Sequence, residues 1–215
     1  MSRGSKLLLL GGGGHCKSVL DSVLKVNPYT EIGIVDIKEN IGKSILGVPV
    51  IACDDDLVIL FRQGYTHAFV TLGSIGNPSV RIKLFMELER IGFKIPNIID
   101  SSANISEQAN LANGIFVGKN AVINVGTTIG KGTIINTSCI IEHDCTIGEF
   151  VHIAPGSVLC GEVHIGHRSH VGARSVVKQQ VRIGSDTLIG MGSLVLCNIA
   201  NNVVAYGSPC KEVTA

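Results

Sequence analysis

The sequence predicts two folds in tandem: a small parallel α/β sheet, Rossmann-like in its alternation, over residues 1–98, and a parallel β-helix of hexapeptide repeats over 99–215. Two observations carry this. From Ile105 to Val195 every sixth residue is Ile, Leu or Val, sixteen positions without a break. In the first hundred residues short aliphatic runs alternate with helical patterns instead. A six-residue period fits neither an α-helix nor an isolated strand. It is the period of short strands wrapped round a narrow core.

The N-terminal elements follow in order. Lys6–Leu10 reads as a buried strand, Gly11–Gly14 as a loop and Cys16–Val26 as a helix. Glu31–Asp36 is a second strand ending in an acid, and Val48–Ile51 a short third. Asp54–Gln63 reads as a helix with Asp54 as N-cap. His67–Leu72 is a strand running into Gly73, and Pro78–Ile91 a helix with Asn77 as N-cap and Pro78 in its first position. Strand–helix alternation implies an open parallel sheet. Gly11–His15, Asp36 and Gly73 fall at carboxyl ends of its strands, where such sheets bind ligands. The glycine run lacks the Gly-Lys-Ser/Thr ending of a phosphate loop, and Cys16 stands where a dinucleotide fingerprint needs its third glycine. The loop still offers N–H groups to a phosphate or sugar; the competing reading is a tight turn and nothing more.

In the β-helix, three hexapeptides make one triangular coil, so residues 18 apart stack about 4.8 Å apart. The sixteen aliphatic residues, from Ile105 through Ile141 and Ile147 to Val195, point inward. A glycine often follows, as at Gly118, Gly130, Gly148, Gly166, Gly172, Gly184 and Gly190; these read as conformationally free residues at the corners.

With 18 Lys and Arg against 17 Asp and Glu, the chain is near neutral. Nothing in that balance draws nucleic acid or an anionic membrane. The Leu7–Leu10 run is too short to cross a bilayer, and the layout of a signal peptide is missing. Seven scattered cysteines with no CxxC pair read as reduced thiols, hence a cytoplasmic protein.

The seven histidines hold the candidate chemistry. His164, His167 and His170 have a spacing that suggests metal binding, but His164 and His170 fall on different prism faces, so no metal site is expected. His152 and His170, 18 apart, stack. His143 stands at a corner in Glu142-His143-Asp144, with Gly161 one coil above, bare of side chain and leaving open space over the imidazole. Neighbouring acids orient such a ring and raise its basicity. Surface histidines also sit beside acids for no reason, and that reading stays open on residue type alone. Cys145 reads as packing.

Beyond the period itself, particular strings carry a resemblance that covers almost the whole chain. They are Gly13-Gly14-His15, the strand end at Asp36, Gly73, Ile140-Ile141-Glu142-His143-Asp144-Cys145, Ile147-Gly148-Glu149-Phe150-Val151-His152 and the tail Gly207-Ser208-Pro209-Cys210-Lys211. With them the chain resembles bacterial nucleotide-sugar (aminosugar) N-acetyltransferases of the left-handed β-helix acyltransferases, related to sialic-acid O-acetyltransferases. The resemblance implies a left-handed coil and acetyl-CoA as acetyl donor. It implies His143 as general base, with Asp144 raising its basicity. Gly13, Gly14, His15, Asp36 and Gly73 would hold a nucleotide-linked aminosugar, with UDP, dTDP or GDP as the nucleotide. His152, Ala173 and the Met191 backbone would contact acetyl-CoA, and the Gly161 N–H could donate to the oxyanion. The resemblance further implies a homotrimer and a role in bacterial surface glycan synthesis. Cys210 departs from the alanine usual in the tail. Two alternatives stand beside this reading: an O-acetyltransferase of the sialic-acid type, and a non-catalytic scaffold.

Overall fold

The structure, a computed structural model, describes residues 4–26 and 28–213. Contacts divide the chain into two units. One holds the residues up to Gly73 together with Ser79–Ile98; the other holds Ser74–Pro78 and the chain from Ile99 on. Ser74–Pro78, inside the stretch expected to be N-terminal, thus belongs with the β-helix.

The first unit is a five-stranded sheet in the order β3-β4-β2-β1-β5. Its strands are β1 (Lys6–Leu10), β2 (Glu31–Val35), β3 (Ser44–Ile45), β4 (Val48–Ala52) and β5 (Tyr65–Val70). Leu7 to Leu10 are fully buried because β1 is central, paired in parallel with β2 and β5. A strand covered on both faces reads as an unbroken apolar run. Helices α1 (Gly14–Val26), α2 (Leu57–Arg62) and α3 (Ser79–Ile91) accompany the sheet. In α1 the buried Cys16, Val19, Leu20 and Val23 recur at helical spacing.

Several boundaries differ from expectation. Helix α1 starts two residues early, at Gly14, so the glycine run enters its first turn. Asp54–Asp56 is a 3₁₀ turn before α2, capped by Cys53 rather than Asp54: the Cys53 N–H donates to Asp56 Oδ2 at 3.1 Å. The acids then lie in the first turn, where the helix dipole favours them. Helix α3 begins at Ser79, with Pro78 just outside. Strand β5 spans Tyr65–Val70 and not His67–Leu72; buried Tyr65 anchors its start through its hydroxyl, which donates to Glu31. The β3–β4 hairpin is new. It turns on Leu46 and Gly47, both with positive φ, as a two-residue hairpin turn requires.

The second unit is built on sixteen two-residue strands at six-residue steps, from Asn104–Ile105 to Leu194–Val195. They form three parallel sheets, one per face. Ile140–Ile141 lies on the first face, Thr146–Ile147 on the second and His152–Ile153 on the third. Register is 18 throughout, as in Ile141↔Leu159 and Ile147↔Ile165. Fourteen of the sixteen expected core side chains are buried; Ile105 and Leu111, in the lowest coil, are only half-buried. The third sheet continues into an antiparallel hairpin, Val204–Gly207 with Cys210–Val213.

The glycines that follow the aliphatic residues do not serve freedom at corners, and the expectation is corrected. None of the seven has positive φ. A Cβ on Gly172 would stand 2.5 Å from the Met191 backbone nitrogen, and one on Gly166 would collide with the Ser185 backbone. These positions are bare because one coil lies directly on the next. The left-handed corner comes two residues later, and nine non-glycine residues take it, among them Ser138 (φ 56°), Asp144 (φ 59°) and Glu162 (φ 60°). Buried Ser, Thr and Cys side chains tie the coils further. Thr133 Oγ1 donates to the Gly148 carbonyl and Ser175 Oγ to that of Gly190, each 15 residues on. Cys145 Sγ does the same to Cys160 at 3.2 Å, which gives its packing role a bond.

The two kinds of position should respond oppositely to substitution. Gly166→Ala forces a Cβ into backbone and should cost about 1–3 kcal/mol. Ser138→Gly relieves a left-handed residue and should be neutral or stabilising by up to about 1 kcal/mol. Urea unfolding midpoints of the two variants check this. A stable Gly166→Ala protein would mean that the coils are not in contact there.

Candidate active site

His143 lies at the corner between the first and second faces, between the strands Ile140–Ile141 and Thr146–Ile147. Its neighbour Asp144 occupies the left-handed corner position, which turns the carboxylate back onto the ring: His143 Nδ1 and Asp144 Oδ2 are 2.8 Å apart. A carboxylate only accepts, so Nδ1 carries the hydrogen and Nε2 is left with the lone pair. Both side chains are about half-exposed (50% and 62%), which leaves the nitrogen reachable from solvent.

Two glycines make room for this pair. A Cβ on Gly161 would lie 2.5 Å from Nε2, and one on Gly126 would run into the Asp144 carboxylate. The space over the imidazole, beneath bare Gly161, was expected to be open. It is filled by the imidazole itself, which lies against the bare Cα. Gly161 is buried, and among the described residues no hydrogen bond uses its N–H. Glu142 is steadied from the coil below, where Asn124 Nδ2 donates to its Oε2 at 3.1 Å. The hydrogen bond His143 donates to Asp144, and less strongly the charges of Asp144, Glu142 and Glu162, hold the His143 pKa above its ordinary value against a smaller opposing effect of desolvation. Gly126 and Asn124 were missed in the sequence. Each is 18 residues before a residue of the triplet, so the stacking rule that found Gly161 above would have found both below.

The other expected contacts lie elsewhere. His152 faces outward on the third sheet yet is buried. Its Nδ1 lies 2.8 Å from the Ser74 carbonyl and its Nε2 3.2 Å from Asn136 Nδ2. His170 packs edge-on against it, with ring centroids 4.8 Å apart, as their 18-residue spacing implied. Ala173 and Met191 stack at the corner between the third and first faces, a different prism edge from His143 and Gly161; Met191 is 81% exposed. His164 is on the second face and His170 on the third.

In the first unit, Gly13 and Gly14 have open space where a side chain would stand. Asp36 receives the Gly12 N–H at 3.2 Å and Asn40 Nδ2 at 3.0 Å on Oδ2, and the Ile37 N–H at 2.8 Å on Oδ1. His15 is largely buried, and desolvation, with Arg81 nearby, pushes its pKa down to about 4; it is neutral at physiological pH. Its Cβ is in ordinary contact distance of a side chain at Gly73. A cleft of about 440 Å³ opens beside Gly12 and Asp36.

Residues 6–88 match the PglD N-terminal domain family, and residues 126–161 match the bacterial transferase hexapeptide family (six repeats). Among solved structures, the chain is similar to perosamine N-acetyltransferase from Caulobacter crescentus. A histidine-to-asparagine variant of that enzyme, in complex with CoA and GDP-perosamine, shares 34% identity over 98% of both chains, with a TM-score of 0.92. PerB from Caulobacter crescentus, in complex with CoA and GDP-perosamine, gives 0.91 at the same identity and coverage. The acetyltransferase domain of PglB from Neisseria gonorrhoeae, in complex with acetyl coenzyme A, shares 30% identity over 98% of this chain and 100% of that one, with a TM-score of 0.89. No curated protein sequence matches the chain.

The His143–Asp144 bond has a direct spectroscopic consequence. In a ¹H–¹⁵N titration, His143 should hold its proton to higher pH than free imidazole, whose pKa is about 6.5. Asp144→Asn should lower that midpoint. A midpoint unchanged by the substitution would mean the carboxylate does not act on the ring.

Proposed function

Because the chain belongs to the left-handed β-helix, acetyl-CoA-dependent sugar N-acetyltransferases, we propose that it moves an acetyl group from acetyl-CoA to the amino group of a nucleotide-linked amino-deoxy sugar. The carrying observation is likeness over the full length, at 34% identity, to an enzyme in complex with CoA and GDP-perosamine, together with a histidine–aspartate pair whose free nitrogen is Nε2. In this reaction the sugar nitrogen attacks the thioester carbonyl, a C–N bond forms, and the C–S bond breaks. His143 Nε2 takes the proton the nitrogen must lose and returns it to the departing sulfur. Asp144 holds the ring in the required tautomer and stabilises the imidazolium. The Gly161 N–H donates to the developing oxyanion; that this N–H has no acceptor among the described residues supports the role. Gly13, Gly14, His15, Asp36 and Gly73 hold the nucleotide end of the sugar.

Ala173 and the Met191 backbone take acetyl-CoA, with His152 reaching their edge through Asn136. They and His143 stand on different edges of one prism, so a site using both needs a second copy alongside. The outward column of the first face offers a surface for it: Val122, Ile140, Val158, Val176 and Leu194 are all aliphatic and only partly covered, whereas Thr128, Thr146, His164 and Arg182 line the second face. A partner related by symmetry covers such a column, and three copies round one axis close the assembly. The protein would act in the cytoplasm, where its seven free thiols stay reduced, in making surface glycan.

Incubation with acetyl-CoA and a panel of UDP-, dTDP- and GDP-linked aminosugars, read by mass spectrometry, should show acetylation of one of them. His143→Asn should lower kcat by about 10²–10⁴ with acetyl-CoA binding intact. kcat/KM should fall as pH drops through the raised His143 pKa, and Asp144→Asn should move that fall to lower pH. A panel without product, or a His143→Asn enzyme of normal kcat, would contradict the proposal.

A further inference from the structure

The β3–β4 hairpin, unseen in the sequence, forms one wall of the cleft of about 440 Å³ in the first unit, whose lining includes Gly12, Lys17, Asp36, Asn40, Lys43 and Ile45. A chain of hydrogen bonds crosses it. Asn40 donates through Nδ2 to Asp36 Oδ2 at 3.0 Å, and its Oδ1 accepts from Lys43 Nζ at 2.7 Å. Asn40 is therefore fixed at both ends, with its amide orientation set by an acceptor on one side and a cation on the other. Among the described residues neither Lys17 nor Lys43 forms a salt bridge. Two ammonium groups thus line one cleft that holds a single carboxylate, and the three hydrogen bonds Asp36 receives come from Gly12, Ile37 and Asn40. Like charges repel across such a cleft, and a doubly charged anion relieves the repulsion. Gly13 and Gly14, without side chains, lie next to Gly12 and lead into α1, one turn before Lys17.

Resting on the nucleotide-sugar reading above, we propose that Lys17 and Lys43 hold the diphosphate of the substrate. Asp36 acts through Asn40 as a positioning residue for Lys43. The apolar hairpin wall at Ile45 and Leu46 then faces the nucleoside. This adds a second part, through Asn40, to the place of Asp36 at the nucleotide end of the sugar. It also names three residues that the glycine motif did not reveal.

Calorimetric binding of UDP, dTDP and GDP and of their nucleosides to the full-length protein tests the assignment. For the diphosphate bound best by the wild type, Lys17→Gln and Lys43→Gln should each weaken binding about 10- to 100-fold. Binding of the parent nucleoside and of acetyl-CoA should stay unchanged. Asn40→Ala should weaken the diphosphate less, and should have no further effect in the Lys43→Gln background, because it acts only through that lysine. Lysine variants that bind the diphosphate like wild type would overturn the clamp while leaving the acetyl-transfer reading intact. Equal losses for nucleoside and diphosphate would overturn it too, as general damage to the cleft. A wild-type protein that binds acetyl-CoA but no nucleoside diphosphate would remove both the clamp and the nucleotide-sugar reading.

Discussion

Each coil of the prism gives its strand N–H groups to carbonyls of the next. Asn124 donates to Ile141, Glu142 to Leu159 and Cys160 to Val177, all at 2.9–3.0 Å. That ladder holds the spacing at 18 residues, and a slip of one residue would turn every aliphatic side chain outward. The candidate site depends on the same ladder. Residue 161 can lie against the His143 ring only if it stands one coil above, and it can do so only without a Cβ. Gly126 meets the same demand below, beside Asp144. The His143–Asp144 pair is thus placed by vertical stacking.

The same contact explains why the chain uses glycine as it does. Bare positions occur where coil lies on coil, while the left-handed corner is taken by glycines such as Gly126 and Gly132 and by non-glycine residues alike. A left-handed residue costs roughly 1–2 kcal/mol, and at Asp144 that backbone is what brings the carboxylate to Nδ1. Strain at this corner is therefore part of the site. At Ser138 no such return is visible.

Much of this was legible because period and register are properties of sequence. The inward column, the stacking of His152 on His170 and the placing of His143 under Gly161 all follow from counting sixes and eighteens. Counting carried no information about where a side chain points once it leaves the coil. His152 faces outward yet is held by Ser74 and Asn136, and the His143 ring filled a space expected to be empty. The glycines were misread because conformational freedom and close approach leave the same letter in the sequence. In the first unit, the β3–β4 hairpin was hidden because two-residue Ser44–Ile45 is too short to show alternation, and its turn uses Leu46 where Asn or Gly would have announced it. The N-cap at Cys53 was missed because a thiol is not a usual cap, whereas the adjacent acids are.

The central claim is that stacking, through a residue without a side chain, sets the position of the His143 ring, the proposed base. Gly161→Ala tests it directly, since the nearest neighbours of the added carbon are ring atoms of His143 rather than backbone. The ring should swing aside at little cost to stability. Steady-state turnover of this variant should then fall about 10²-fold, as expected for a reacting group misplaced by about 1 Å, with the unfolding midpoint unchanged. A Gly161→Ala protein that turns over at the wild-type rate would contradict the account.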